Sequence, residues 1–161
     1  MKITFTLNSK DVSVESSPDA RLIHILREKF GLLGAKEGCL QGHCGYCCAL
    51  LNGELVPACM LPVFSVFRGS VTTIEGFRET PDFTDIEKGF IQAGVDPCGY
   101  CASAKILTAH KLLEKNPNPT EAVIRKAMAG IVCRCTSYSA LVEGVKAAAA
   151  NRRVRSHGKY R

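Results

Sequence analysis

Nine cysteines stand in this 161-residue chain, and eight of them fall into two spaced sets. Cys39, Cys44, Cys47 and Cys59 follow C-x4-C-x2-C-x11-C; Cys98, Cys101, Cys133 and Cys135 follow C-x2-C-x31-C-x-C. No other feature constrains the fold as much, because a site that gathers four thiols must bring distant segments together. The odd total suits a disulfide framework poorly. Clustered thiols in a reducing compartment point instead to metal or redox chemistry. The first residues, MKITFTLNSKDVSVES, alternate apolar and polar side chains and lack the continuous apolar core of a signal peptide. No apolar run approaches the roughly 20 residues that span a bilayer. The chain reads as cytoplasmic, with no membrane partner.

The first three cysteines of the N-terminal set have the spacing of a plant-type [2Fe–2S] loop. Each iron takes tetrahedral thiolate coordination, so the loop must wrap closely and a hairpin must return the fourth thiolate. Gly34, Gly38, Gly42 and Gly45 lie in this loop. Glycine allows positive φ and close backbone approach, so Gly38, Gly42 and Gly45 are candidate cluster-cradling positions whose neighbouring amides can reach sulfur. Zinc is the alternative occupant, although zinc sites usually use paired C-x2-C knuckles. The second set alone fits either zinc or a cluster. Its cysteines open two helices, whose N-terminal N–H groups favour thiolates and an anionic cluster. Cys48 directly follows Cys47. In a strand it points to the opposite face, which suits a small buried residue; a substitute ligand or reactive thiol is the lesser reading.

The first half reads as strands with one helix. Ile3, Phe5 and Leu7 alternate with polar residues, and Val12 and Val14 repeat the period after a turn at 8–10. Ser17 and Pro18 mark a helix start, Leu22, Ile23, Leu26 and Phe30 its apolar face, and Gly31 its stop. Residues 48–59 read as a hairpin turning at Asn52-Gly53, and 71–75 as a last strand. The second half reads as four helices: around 85–93; 102–115, with Ala102, Ile106, Ala109 and Leu113 as its seam; one capped by Thr120; and one opened by Thr136 or Ser137. The change of period places a domain boundary at 76–81, giving domains of 1–78 and 79–161. The fold class is α+β.

At this point the sequence resembles a known family, the small iron–sulfur subunit of the molybdenum hydroxylases, which include xanthine dehydrogenases, aldehyde oxidoreductases and nicotinate dehydrogenases. KEGCLQGHCGYC at 36–47, NGELVPAC at 52–59, CGYC at 98–101, NPNPT at 116–120 and GIVCRCTSY at 130–138 carry the resemblance. It implies a β-grasp, plant-type ferredoxin-like domain followed by an all-α four-helix-bundle domain, with one [2Fe–2S] cluster in each. It also implies a large molybdopterin subunit beside the Cys98/Cys101/Cys133/Cys135 cluster and a medium FAD subunit beside the other. Electrons pass between those cofactors, and this chain supplies no catalytic residue. A hetero-oligomer is implied, such as a dimer of heterotrimers. The chain departs from the family where Pro97 replaces a usual Gln, Ala102-Ser103-Ala104 a usual Thr-Pro-Gly, Ser137 a usual Gly and Cys48 a usual Thr. Most of these departures are expected on the pterin-facing surface. A two-cluster carrier serving a non-molybdenum dehydrogenase is the alternative function.

The formal charge of +6 is concentrated at one end. The last eleven residues, NRRVRSHGKYR, hold five of the 21 basic residues and no acid; the rest balances 16 basic against 15 acidic. This end is expected to be solvated, or else to dock on a partner. No basic patch with interleaved aromatics marks the body, which argues against nucleic acid. Of the four histidines, His43 lies inside the first cysteine loop, but that set is complete without it. His24 and His110 read as surface or satisfied packing residues, and His157 belongs to the tail.

Overall fold

Alternation makes the first hairpin. Ile3, Phe5 and Leu7 point to one face of β1 (Lys2–Leu7) and are buried there. β2 (Lys10–Glu15) pairs antiparallel with β1, with Ile3 opposite Val14 and Phe5 opposite Val12. Asn8 and Ser9 make the turn, both at positive φ. In the computed structural model, which describes residues 1–158, this hairpin is one edge of a five-stranded sheet. β3 (Cys48–Leu51) and β4 (Glu54–Pro57) form the other edge. Their turn sits at Asn52-Gly53 with φ of 51° and 81°, both positive as a type I′ hairpin requires. β5 (Ser70–Thr72) lies between, parallel to β1 and antiparallel to β3, giving the order β2-β1-β5-β3-β4. This mixed sheet with a crossing helix is the expected β-grasp arrangement.

The crossing helix starts later than its sequence suggests. Ser17 does not cap it, and α1 (Leu22–His24) begins after Arg21. The reason is a competing partner: the amides of Leu22 and Ile23 donate to Leu61 and Ala58 carbonyls, so residues 18–20 close a turn, with Ala20 N–H on Ser17 C=O, and Arg21 stays extended. The helix continues as a π-helical stretch, Ile25–Lys29, and stops at Gly31, where φ is 65° and Leu32 N–H returns to Leu26 C=O. The last strand is shorter than expected. β5 ends at Thr72, because Asn8 Oδ1 accepts the Thr73 N–H and Glu75 bonds Thr73 Oγ1, turning the chain into α2 (Ile74–Phe77).

Four helices follow, as the 3.6-residue period implies. α3 (Pro81–Gln92) starts four residues before the expected position. Thr80 Oγ1 accepts the Phe83 N–H and Pro81 occupies the first turn. α4 (Ala102–Lys115) has the expected limits. Its seam does not: Ala109 and Leu113 are buried, but Ala102 and Ile106 are only half-buried, while Lys105 is buried. α5 (Glu121–Met128) begins after Thr120, whose side chain makes no capping bond. Ser137 Oγ accepts the Ala140 N–H at the start of α6 (Tyr138–Gly158).

Over the described residues 151–158 the basic end is helical and partly paired, not the loose solvated segment its composition suggests. α6 runs to Gly158, and Arg152 and Arg155 pair with Asp82, while Arg155 Nε reaches Asp85 Oδ2 at 2.7 Å. Asn151 also donates to Asp85 C=O. Carboxylates on α3 supply the compensation that composition alone hides. Residues 159–161 lie outside the described residues, as does the side chain of His157. One core gathers Phe5, Leu22, Ile23, Leu26, Val63 and Val71 under the sheet. The other joins Leu50, Ile74 and Phe77 to the helices, so the two lobes share a packed boundary.

Candidate metal centres

The N-terminal thiols are positioned by a loop and a hairpin. Cys39 and Cys44 lie on the loop, half-buried, and their side chains touch. Cys47 and Cys59 are buried in the sheet-side core and also touch. The amides of Gln41, His43 and Cys44 all donate to Cys39 Sγ, at 3.4, 3.2 and 3.4 Å. The N–H groups of Gln41 and Cys44, reinforced by that of His43, bring the Cys39 thiol down to about 6 despite its desolvation. Burial pushes Cys47 up to about 12 and Cys48 up to about 11. Cys48 packs against the helical core while Cys47 belongs to the other, so the two neighbours face opposite ways as a strand requires. His43 contributes its backbone amide; its side chain is exposed.

The glycines explain the loop's closeness. Gly45 has φ of 79°, and a Cβ there would lie 2.6 Å from Gly130 C=O. At Gly38 a Cβ would lie 2.7 Å from Cys44 Sγ. Gly42 also has positive φ, 76°.

The helical thiols converge from two separate loops. Cys101 directly precedes α4, and Cys98 receives the N–H groups of Tyr100 and Cys101, which lower its thiol below the usual range. Cys101 Sγ lies 3.6 Å from Cys133 Sγ, and Cys98 touches Cys135. Cys133 and Cys135 lie in the loop before α6 and do not open it directly. Burial opposes ionisation of Cys133, yet the Lys105 ammonium and the amides of Thr136 and Cys135 bring it down to about 6. Burial raises Cys101 to about 11, and contact with Cys98 raises Cys135. Cys98 and Cys135 are exposed; Cys101 is buried.

The two sites abut. Val132 N–H, next to Cys133, donates to Cys44 C=O at 3.1 Å. The Tyr46 ring meets Tyr100 edge to face at 5.8 Å. Desolvation raises the Tyr46 hydroxyl, helped by Cys44 from one site and Cys101, Cys133 and Cys98 from the other. Ser103 Oγ donates to Gly34 C=O across the boundary. Ser103 and Ala104 are buried and therefore do not belong to an outward pterin-facing surface; Pro97 and Ala102 are half-buried and Ser137 is exposed.

The donor set suits binuclear iron. Two thiolates on one tetrahedral metal with bonds of about 2.3 Å stand about 3.8 Å apart, close to the Cys101–Cys133 separation of 3.6 Å. Among the described residues, no group of three or more His, Cys, Asp or Glu is set around a single metal ion. Each set supplies four thiols that make contacts within the set, with Cys98 touching both Cys135 and Cys101, and a [2Fe–2S] cluster needs two per iron. Thr136 Oγ1, beside Cys135, is a buried polar atom with no hydrogen-bond partner among the described residues, as a hydroxyl facing a bound group would be. Sequence reasoning did not single out Tyr46 or Lys105. The signal for the latter was a lysine one helical turn after Cys101.

Comparison with known proteins agrees with this geometry. Residues 5–65 match the family described as a 2Fe-2S iron–sulfur cluster binding domain, and residues 73–146 match a [2Fe-2S] binding domain. The protein is therefore a two-cluster [2Fe–2S] protein, and zinc gives way at both sites. The small FeS subunit of nicotinate dehydrogenase from Eubacterium barkeri is 41% identical over 84% of this chain and 87% of its own length. Isoquinoline 1-oxidoreductase subunit alpha from Brevundimonas diminuta is 40% identical over 91% and 97%. The crystal structure of quinoline 2-oxidoreductase from Pseudomonas putida 86 superposes with a TM-score of 0.86 at 33% identity, covering 95% of this chain and 96% of that one. Aldehyde oxidoreductase from Desulfovibrio gigas gives 0.85 at 32% identity, covering 96% of this chain but 17% of a much longer one. The chain belongs to the small iron–sulfur subunits of the molybdenum hydroxylases, oxidoreductase components that transfer electrons. Among the described residues, no helix is long and apolar enough to cross a membrane.

Proposed function

We propose that Cys39, Cys44, Cys47 and Cys59 hold one [2Fe–2S] cluster and Cys98, Cys101, Cys133 and Cys135 the other, in domains of 1–78 and 79–161. The convergence of the thiols within each set carries this reading: Cys39 meets Cys44, Cys47 meets Cys59, Cys101 meets Cys133, and Cys98 meets both Cys135 and Cys101. Gly38, Gly42 and Gly45 let the first loop close around its cluster. When bound, the clusters supply one-electron chemistry. The chain's own residues orient and insulate them. The Val132–Cys44 hydrogen bond joins the two cysteine loops, and Tyr46 fills the space between them.

The partners follow from the family. A large molybdopterin subunit would cover exposed Cys98 and Cys135, where Tyr100, Val132 and Tyr138 present apolar surface. A medium FAD subunit would cover the first loop near exposed His43 and Met60. The assembly is a hetero-oligomer, in one form a dimer of heterotrimers. Nine free cysteines suit a reducing cytoplasm.

The test is purification of the chain alone and from native cells. The chain alone should be coloured, contain iron and inorganic sulfide, and give two reduced EPR signals. A colourless zinc protein would sink the assignment. Molybdopterin and FAD in the native complex are expected; two clusters with neither cofactor would favour a carrier for another dehydrogenase.

A further inference from the structure

Among the described residues, Lys105 is the largest side chain that the fold buries completely, at 1% exposure. It stands on the first turn of α4, its N–H bonded to Cys101 C=O at 3.0 Å. Nζ donates to Cys133 Sγ at 3.1 Å. Among the described residues, no carboxylate forms an ion pair with it. Its charge also reaches Cys101 and Cys135. The N-terminal site differs: Cys39 receives three backbone N–H groups, and no lysine or arginine side chain among the described residues hydrogen-bonds its four thiols.

A buried ammonium is costly unless an anion faces it. Among the described residues, the partner that faces the Lys105 ammonium is the Cys133 sulfur. One-electron reduction adds one negative charge to a cluster, with no bond made or broken. A cation at hydrogen-bond distance in a low-dielectric setting stabilises that added charge more than it stabilises the oxidised form. Hydrogen bonds and charge at the sulfurs are among the terms that set a cluster's potential.

We propose that Lys105 is a positioning and tuning residue of the helical-lobe cluster, holding its reduction potential above that of an equivalent site with a neutral side chain at 105. The proposal rests on the assignment of Cys98, Cys101, Cys133 and Cys135 made above. It gives the two clusters different electrostatic settings: amide dipoles at both, with a buried charge added at the helical one.

The test is an equilibrium redox titration of the full chain carrying both clusters, with dithionite as reductant and each EPR signal followed separately. Cys44→Ser and Cys133→Ser assign the signals. In Lys105→Met the helical-lobe signal should move to lower potential by at least tenfold in its reduction equilibrium, about 59 mV for a one-electron couple. Lys105→Gln, which keeps an N–H donor without the charge, should move it less in the same direction. The N-terminal signal should stay in place. Both signals present with the helical-lobe one unmoved would overturn the proposal. A second signal that survives Cys133→Ser would instead overturn the ligand assignment. Should the variants lose the cluster, pulsed EPR on wild-type chain labelled with 15N-lysine decides. A lysine nitrogen coupled to the helical-lobe signal is expected, and no coupling would overturn the proposal.

Discussion

The two cysteine sites reach the same count of thiols by opposite routes. The N-terminal site draws all four from 21 consecutive positions, Cys39 to Cys59, on one loop and the hairpin that follows. The helical site draws two pairs from loops more than thirty residues apart, brought together by the packing of α4 and α6 with the rest of the bundle. Local closure makes the first site depend on backbone conformation. Tertiary closure makes the second depend on the core beneath it. Their electrostatics differ too: backbone amides serve Cys39, whereas a buried lysine joins the amides that serve Cys133.

The harshest way to break the comparison is to remove one thiol from each site. Cys44→Ser should abolish the N-terminal cluster and much of that lobe's stability, because the loop at 34–47 contributes little core besides Ala35 and Cys47. Bound iron should fall from about four to about two per chain, and EPR should show the helical-lobe signal alone. Two distinct reduced signals in that variant would contradict the assignment. Cys133→Ser should do the reverse and leave the N-terminal lobe folded, since the sheet keeps its own core.

A smaller change probes where the sites meet. Gly45→Ala forces a Cβ against Gly130 C=O and Ile131 Cα at positive φ, and should cost about 1–3 kcal/mol in urea unfolding of the loaded chain. Gly53→Ala has a similar φ, 81°, with nothing within 4 Å of the added Cβ. It should cost only the left-handed penalty of about 1 kcal/mol. Equal losses in the two variants would show that the close approach of the lobes adds nothing.

Local chemistry was legible in the sequence and long-range compensation was not. C-x4-C-x2-C declared the first site because its spacing is its geometry. Asn52-Gly53 and Gly31 declared a turn and a stop because their φ values are local. The late start of α1 was hidden, because the amides of Leu22 and Ile23 are claimed by carbonyls at 61 and 58. The burial of Lys105 was hidden in the same way. A lysine in a helix reads as solvent-facing until a thiol from 28 residues away is set beside it. The helical site itself was ambiguous by spacing and needed the family resemblance to be read as a cluster. Ser103 and Ala104 show the converse, since a resemblance to a pterin-facing motif did not reveal that these two positions point inward.

The arginine-rich end of α6 sharpens the contrast further, because Arg152 and Arg155 staple α6 to α3 within the helical lobe. Arg155 Nε meets Asp85 Oδ2 at 2.7 Å, and the Asp85 side chain is 9% exposed. Arg155→Ala should leave that carboxylate with one fewer charged donor and cost roughly 1–2 kcal/mol. Added salt should narrow the gap between variant and parent, and a gap that widens with salt would argue against an ion-pair origin.

The smallest expected effect concerns His110, which belongs to the same cluster of charges. Its ring packs on Phe77 with centroids 4.6 Å apart, and Nδ1 stands 3.3 Å from Asp82 and 3.2 Å from Arg152. Burial lowers its pKa below the ordinary histidine value, against the pull of Asp82 and with help from Arg152. The folded state therefore prefers the neutral ring. The unfolded chain takes up the proton first as pH falls, so His110's contribution is complete above about pH 6.5 and is lost through the lowered folded value. His110→Gln removes this component. Between about pH 7.5 and 5.5 its urea midpoint should fall less steeply than the parent's, while Asp82 keeps its arginine partners in both. A steeper fall in the variant would mean that Asp82 holds the imidazolium more strongly than burial opposes it, reversing the sign of the His110 contribution.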